Sequence, residues 1–172
     1  MRPTPVAVIA ILLALTGCGY HTVGASTHLP PDVRTLSIPV FATHTDAYHT
    51  ETVLTEAVLR EFAARTRLRV TPSTSGDADA VLHGTILKQT VVPLTFNTNT
   101  QQSSSYLFTL VASVTLTGHD GKVLFANNNY VFRQQFQSTT DLATYLDESP
   151  AAEQRLGREF AHQLVADVLE SF

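Results

Sequence analysis

Tyr106–Thr117 reads YLFTLVASVTLT, and large apolar side chains stand at every second position of this stretch. Because successive residues of a strand point to opposite faces of a sheet, this alternation predicts a long strand with one buried face. Thr109, Ser113 and Thr115 fall on the other face, where they give an uncharged, hydroxyl-bearing surface. The pattern therefore predicts a sheet that packs against a second layer on one side only.

The segments on either side of this stretch also have strand patterns. Gly118–Gly121 (GHDG) is a turn signal, and Lys122–Phe136 continues the apolar alternation of the preceding strand. Asn127–Asn129 lies in the middle of that segment, forms strands poorly and predicts a bulge. Ahead of the central strand, Ala80–Leu94 is predicted to be its hairpin partner. The uncharged stretch Thr95–Ser105 is predicted to be the mobile tip of that hairpin.

Two amphipathic segments supply the second layer. Thr50–Thr66 and Pro150–Leu169 both repeat apolar residues at four-residue spacing and are predicted to be helices. A strand at Arg34–Phe41 precedes the first helix, and Pro39 predicts an edge position or an end to pairing within it. Leu68–Thr71 follows as a short strand and completes a βαβ-like unit. The order β-α-β-β-β-β-α predicts an α+β fold, a two-layer α/β sandwich with two helices on one face of a mixed four- to five-stranded sheet.

The N-terminus has the pattern of a bacterial lipoprotein signal. Val6–Leu15 is an uncharged apolar run of about ten residues, the length of a signal-peptide core, and it is too short to span a bilayer. Leu15-Thr16-Gly17-Cys18 matches a lipobox, and Cys18 is the only cysteine in the chain. We therefore expect lipid attachment at Cys18; the alternative is an ordinary secretory signal with a chance cysteine near the cut. The expected division is a signal peptide at 1–17, a lipidated tether at 18–33 and one domain at 34–172.

Composition and motifs argue against several functions. The chain has 11 basic and 15 acidic residues and a net charge of −4, which is not the basic balance of a nucleic-acid-binding protein. Its seven histidines form no H-x-x-x-H pair, so no metal site is expected. There is no G-x-S-x-G, no Gly-rich phosphate loop and no helix with paired carboxylates. We therefore expect neither an enzyme nor a cofactor.

Four short motifs occur in order along the predicted mature chain. They are Cys18-Gly19-Tyr20-His21 with Gly24, Ile38-Pro39-Val40-Phe41, Thr55-Glu56-Ala57-Val58 with Glu61-Phe62, and Ala78–Gly84 (ADAVLHG). Together they resemble the lipopolysaccharide-assembly lipoprotein family of the LptE type. The resemblance implies an α/β sandwich anchored in the outer membrane by lipid. It also implies a plug inside the lipopolysaccharide-export outer-membrane β-barrel protein of the LptD type, which helps that barrel assemble and binds lipopolysaccharide.

Candidate contact residues follow from charge. A lipopolysaccharide ligand carries phosphates or carboxylates, and the only cations between residues 70 and 150 are Lys88, Lys122 and Arg133. Lys88 and Arg133 are the predicted ligand contacts, although the 95–105 tip has no cation. The uncharged sheet face suits a water-lined barrel interior, and its alternative is an ordinary solvated face. The predicted partner contacts are Thr109, Ser113, Thr115, Asn127 and Asn129.

A second function stays open at this point. The chain could also be a free outer-membrane lipoprotein that acts as a periplasmic ligand- or protein-binding module on the same scaffold. Co-purification of a barrel protein separates the two functions. In both, Gly19 after the modified cysteine favours the outer membrane, because an aspartate there retains lipoproteins at the inner membrane.

Overall fold

Six strands and two helices make up the part of the chain that the computed structural model describes, residues 29–30, 32–45, 50–73, 77–97, 102–137 and 150–171. The signal peptide, Cys18, the tether up to residue 28 and residues 98–101 of the hairpin tip lie outside these ranges. In chain order the elements are β1 (Thr35–Ser37), β2 (Ala42–Thr43), α1 (Thr50–Arg65), β3 (Arg69–Thr71), β4 (Ala80–Asn97), β5 (Gln102–Gly118), β6 (Val123–Gln137) and α2 (Pro150–Glu170).

The sheet is mixed, and its strand order is β3-β1-β4-β5-β6. β1 runs parallel to both β3 and β4, so β1, α1 and β3 form the predicted βαβ unit. β4, β5 and β6 form an antiparallel meander. The predicted α+β sandwich and its element order are confirmed when β1 and β2 count as one interrupted strand.

Pro39 marks the interruption between β1 and β2. The chain leaves the ladder after Ser37 and pairs with β4 again at Ala42, which lies opposite Thr85. Because proline has no N–H to donate, the ladder cannot continue through it. The break sends Phe41 onto β4, where a Cβ at Gly84 would come within 2.7 Å of its ring atoms. Glycine at position 84 is therefore what lets the aromatic ring lie flat against the strand.

The core lies between the sheet and the two helices. On β5 every second residue from Tyr106 to Leu116 is buried, as the alternation predicts. α1 contributes its predicted apolar stripe, and α2 places Phe160 edge-on against two aromatic rings of β6, with centroids 6.0 Å from Tyr130 and 5.6 Å from Phe132. Edge-to-face pairs at this separation add to the free energy gained from burial. The residues between them, from Leu107 to Thr115, stay only partly buried, because no helix of the described chain covers them.

The predicted bulge in β6 is present. Ala112 lies opposite Tyr130 and Val114 lies opposite Asn127, so β6 advances three residues while β5 advances two. Asn128 and Asn129 therefore share the position opposite Ser113. The Asn127 side chain stabilises the bulge by accepting a 3.0 Å hydrogen bond from the Asn129 N–H.

The bulge also corrects one predicted position. Strict alternation puts Asn127 and Asn129 on the same face as Ser113. Instead, Asn127 lies opposite Val114, whose side chain is buried under the helices. An extra residue in a strand inverts the alternation of faces beyond it. Asn127 therefore belongs to the helix-covered face, and Asn128 takes its predicted place on the face of Ser113.

Candidate functional site on the open sheet face

The face of β4, β5 and β6 that turns away from α1 and α2 carries most of the predicted contact residues. We call it the open face. Side chains directly opposite each other in an antiparallel pair share a face, so the register identifies its members. They are His83, Thr85, Leu87, Lys88, Thr90 and Val92 on β4, Leu107, Thr109, Val111, Ser113 and Thr115 on β5, and Ala126, Asn128, Asn129, Val131, Arg133 and Gln135 on β6.

The half of the open face near the β5–β6 turn carries hydroxyl and amide groups. Ser113 lies at its centre, opposite Thr85 on β4 and the bulge on β6. The Ser113 hydroxyl donates a 3.2 Å hydrogen bond to the side-chain carbonyl of Asn128. This hydroxyl half, defined by Thr85, Ser113, Thr115, Asn128 and Asn129, offers donors and acceptors without a formal charge.

Lys88 reaches the open face because of a second bulge. Ile86 lies opposite Ala112 and Lys88 lies opposite Val111, so β4 contains one extra residue at this point. In a regular strand Lys88 would share the buried face of Ile86. The bulge instead leaves Lys88 exposed opposite Val111 and gives the helix-covered side to Gln89.

The two predicted ligand-binding cations lie on opposite sides of β5. Lys88 faces Val111, and Arg133 faces Thr109, the position two residues away. Two strand spacings and two residues of rise place their Cα atoms roughly 12 Å apart. Both side chains are exposed. Thr109, a predicted partner contact, consequently lies beside Arg133. Val111 stands between Thr109 and the other two predicted contacts on β5, Ser113 and Thr115.

Large apolar side chains surround these cations, and sequence reasoning missed them as a group. Leu87 is 38% exposed and Val92 is 50% exposed. Val111 and Val131 face each other across β5 and β6 between them. The odd-numbered apolar residues of β5, Leu107 and Val111, are the sequence signal from which this apolar surface could have been predicted. This apolar half combines exposed aliphatic surface with two positive charges.

Asp79 holds together the ends of the sheet's strands β1 and β4 at which both strands begin. Its carboxylate Oδ2 accepts hydrogen bonds from the Arg34 N–H (2.9 Å), the Thr35 N–H (2.8 Å) and the Thr35 hydroxyl (2.8 Å). These donors, led by the Arg34 N–H, lower the pKa of Asp79. The Thr35 hydroxyl in turn accepts from the Asp79 N–H at 2.8 Å. The Asp79 side chain thus joins β1 to β4 across 44 residues.

The open face is the best candidate for a functional surface. Among the described residues, no group of three or more His, Cys, Asp or Glu side chains is placed to hold a metal ion. Neither helix in the described ranges has the length and hydrophobicity needed to cross a membrane. The groups that the open face offers are hydroxyls, amides, aliphatic side chains, the His83 imidazole and two cations.

Solved bacterial proteins share this architecture of two helices on a mixed sheet. A hypothetical protein from Chlamydia trachomatis has a TM-score of 0.53 at 12% identity, over 80% of this chain and 96% of that one. A protein from Xanthomonas campestris also has a TM-score of 0.53 at 15% identity, over 83% of this chain and 90% of that one. The rare lipoprotein B from Shewanella oneidensis has a TM-score of 0.47 at 9% identity, over 78% of this chain and 95% of that one. At such identities the first two show a shared fold.

The family follows from the sequence itself. The sequence profile of LptE, described as lipopolysaccharide-assembly, matches residues 33–168. The chain belongs to the LptE family, a family of lipoproteins that are not enzymes. No curated protein matches the chain in sequence.

Proposed function

We propose that this protein is an outer-membrane lipoprotein, anchored through Cys18, that plugs the lumen of an LptD-type lipopolysaccharide-export barrel. In this role it supports assembly of the barrel and insertion of lipopolysaccharide at the cell surface, and it catalyses no reaction. Membership of the LptE family supports the proposal. The observation that carries it is the uncharged hydroxyl half of the open face.

The hydroxyl half has the chemistry that a barrel lumen requires. The interior of an outer-membrane barrel is polar and hydrogen-bonding, and uncharged hydroxyls can meet it without burying an unpaired charge. Ser113, Thr115 and Asn128 supply both donors and acceptors and lie on neighbouring strands of the sheet. A solvated sheet face would be expected to carry more lysine and glutamate.

The apolar half has the chemistry of an amphiphile site. Lipopolysaccharide combines acyl chains with anionic groups, and Leu87 and Val92 expose aliphatic surface on the face that carries the two cations. Arginine and lysine are the side chains that bind phosphate and carboxylate most strongly. We propose that Lys88 and Arg133 contact these anionic groups.

Substitution of Ser113 tests the plug role. Ser113→Glu places a carboxylate against the carbonyl oxygen of Asn128, whereas Ser113→Thr adds one methyl group and keeps the hydroxyl. We expect the Glu variant to lower recovery of the barrel protein in a mild-detergent pull-down read by mass spectrometry. Its melting temperature should match that of the wild type, because Ser113 lies outside the core. The Thr variant is the matched control and should recover the barrel normally.

Two results would contradict the plug role. Equal recovery with Ser113→Glu and Ser113→Thr would move the interface away from the open face. Recovery of no barrel protein with the wild-type chain would favour the second function, a free lipoprotein that binds a periplasmic ligand or protein.

The anchor is tested separately at the N-terminus of the mature protein. Two or more acyl chains hold a protein stably at a membrane, whereas one chain is marginal. We expect mass spectrometry of the mature N-terminus to show an acylated Cys18 as the first residue. An unmodified thiol, or cleavage at another position, would contradict lipid anchoring without bearing on the open face.

A further inference from the structure

A second candidate site lies away from the open face, at the end of the sheet where β1 and β4 begin. A cavity of about 460 Å³ opens there between the segment before β1 and the β5–β6 turn. This volume lies within the range of small-ligand sites. The lining mixes negative, positive and apolar side chains, among them Asp32, Val33, Asp79, His119, Lys122 and Leu124.

Asp79 provides a carboxylate that is already positioned for a ligand. Three donors bind its Oδ2 atom and fix the side chain, and the His119 N–H donates to its backbone carbonyl at 2.8 Å. Its Oδ1 atom makes no hydrogen bond within the described ranges. A fixed carboxylate with one free oxygen in a cavity suits a primary ammonium group, which brings three N–H donors.

The β5–β6 turn forms another part of the lining and carries the Lys122 ammonium, the His119 ring and the Asp120 carboxylate. The backbone of this turn is held by the Gly118 N–H, which donates to the Lys122 carbonyl at 2.8 Å, and by Gly121 at a φ of 80°. The Asp120 carboxylate accepts from the Lys122 N–H at 3.0 Å. The turn therefore presents the Lys122 ammonium and the His119 ring to the cavity on a defined backbone. These are groups that bind phosphate.

We infer that this cavity binds a phosphoethanolamine headgroup, with the ammonium at Asp79 and the phosphate at Lys122 and His119. We assign the headgroup to a phospholipid of the leaflet that holds the Cys18 lipid, so the inference rests on the anchoring in the proposed function. Pro30, which also lines the cavity, follows Cys18 by 12 residues. Such a segment spans at most about 43 Å, which keeps the cavity within reach of the membrane surface.

A titration of the full mature lipoprotein in a non-ionic detergent tests the inference. Glycerophosphoethanolamine is the probe, and backbone amide shifts of His119, Gly121 and Lys122 are the readout. Glycerophosphocholine lacks N–H donors, and glycerol 3-phosphate lacks the ammonium group. We expect the probe to bind roughly two- to five-fold more tightly than either comparator, the range of a partly exposed charged contact.

Two substitutions locate the binding. Lys122→Gln should weaken binding of the probe by a similar roughly two- to five-fold, and this exposed position leaves the fold intact. Arg158→Gln, at a cation on α2 that is also exposed, is the matched control and should leave binding unchanged. Equal weakening in both variants, or equal binding of the choline analogue, would overturn the inference.

The source of the headgroup is tested in vesicles. The lipoprotein is reconstituted with phosphatidylglycerol and either phosphatidylethanolamine or phosphatidylcholine. We expect slower amide exchange in the β5–β6 turn only with phosphatidylethanolamine. No difference between the vesicles would overturn the assignment to the membrane. Recovery of the barrel and the mass of the mature N-terminus are separate readouts, so failure here is distinguishable from failure of the proposed function.

Discussion

Asp79 shows how one side chain connects local sequence to long-range structure. It ends the loop before β4, yet its carboxylate bonds to the backbone at the start of β1, 44 residues earlier. A carboxylate that accepts several hydrogen bonds is stabilised in its charged form, which explains the lowered pKa of Asp79. Its contribution to the free energy of unfolding therefore depends on pH.

The pH dependence of stability tests this role. A lowered pKa in the folded state stabilises the fold above 3.8, the ordinary pKa of aspartate, and this stabilisation is lost as the pH falls through the lower folded pKa. Asp79→Asn should lower the free energy of unfolding at pH 7. The difference from the wild type should shrink as the pH falls through that acidic range in urea titrations at several pH values.

Asp77 provides the matched control for this measurement. It is exposed and lies two residues before Asp79 in the same turn, so Asp77→Asn should change stability by less than about 0.5 kcal/mol. Equal effects of the two substitutions would show that the turn needs only general polarity there.

The terminal helix α2 depends on one aromatic anchor. Phe160 is fully buried and meets both Tyr130 and Phe132 edge-on. Arg155, one turn earlier, lies 5.2 Å from the centroid of the Phe136 ring. The helix therefore contacts β6 through both Arg155 and Phe160, and loss of the Phe160 ring leaves a cavity at the sheet.

Truncation of this anchor should nearly unfold the protein. Phe160→Ala removes a buried ring at a cost of about 3–5 kcal/mol, against a total stability of roughly 5–15 kcal/mol for proteins of this size. Phe160→Leu keeps most of the volume and should cost much less. Thermal melts compare the two variants. A shift of only a degree or two for Phe160→Ala would mean that α2 is not held by this ring.

Viewed as a whole, the molecule separates its chemical groups in space. Ser113, Thr115 and the asparagines of the β6 bulge lie in one half of the open face, and the other half combines aliphatic side chains and two cations with Thr90 and Thr109. Asp79, Asp120 and Lys122 lie at the far end, by the β5–β6 turn. An amphiphile and a barrel wall could therefore contact the same sheet side by side.

Lys88 and Arg133, the cations of the apolar half, should determine how much lipopolysaccharide co-purifies with the protein. We expect the double variant Lys88→Gln/Arg133→Gln to co-purify several-fold less lipopolysaccharide, since each charge-assisted contact contributes roughly 1 kcal/mol or more. Recovery of the barrel protein should stay normal, because the hydroxyl half is unchanged. Arg60→Gln, at an exposed arginine that pairs with Glu56 on α1, is the control. Equal lipopolysaccharide recovery with both variants would remove Lys88 and Arg133 from the site.

Local sequence alone determined much of this architecture. The alternation around Phe108 and Leu110, the helical stripes, the break at Pro39 and the bulge at Asn127–Asn129 were all predicted, and all are present. Each is a property of neighbouring residues, namely the period of burial, a missing donor or a poor strand former. Short-range rules suffice for features of this kind.

Tertiary structure decided which side chains meet. Lys88 joins Arg133 on one face only because an extra residue in β4 rotates it out of the core, and the β6 bulge removes Asn127 from that face. A bulge changes the face of every residue beyond it, and its exact position depends on the partner strand. The bond between Asp79 and Thr35 likewise requires two segments far apart in the chain to pair. Sequence periodicity describes one strand at a time, so it cannot fix the register between strands.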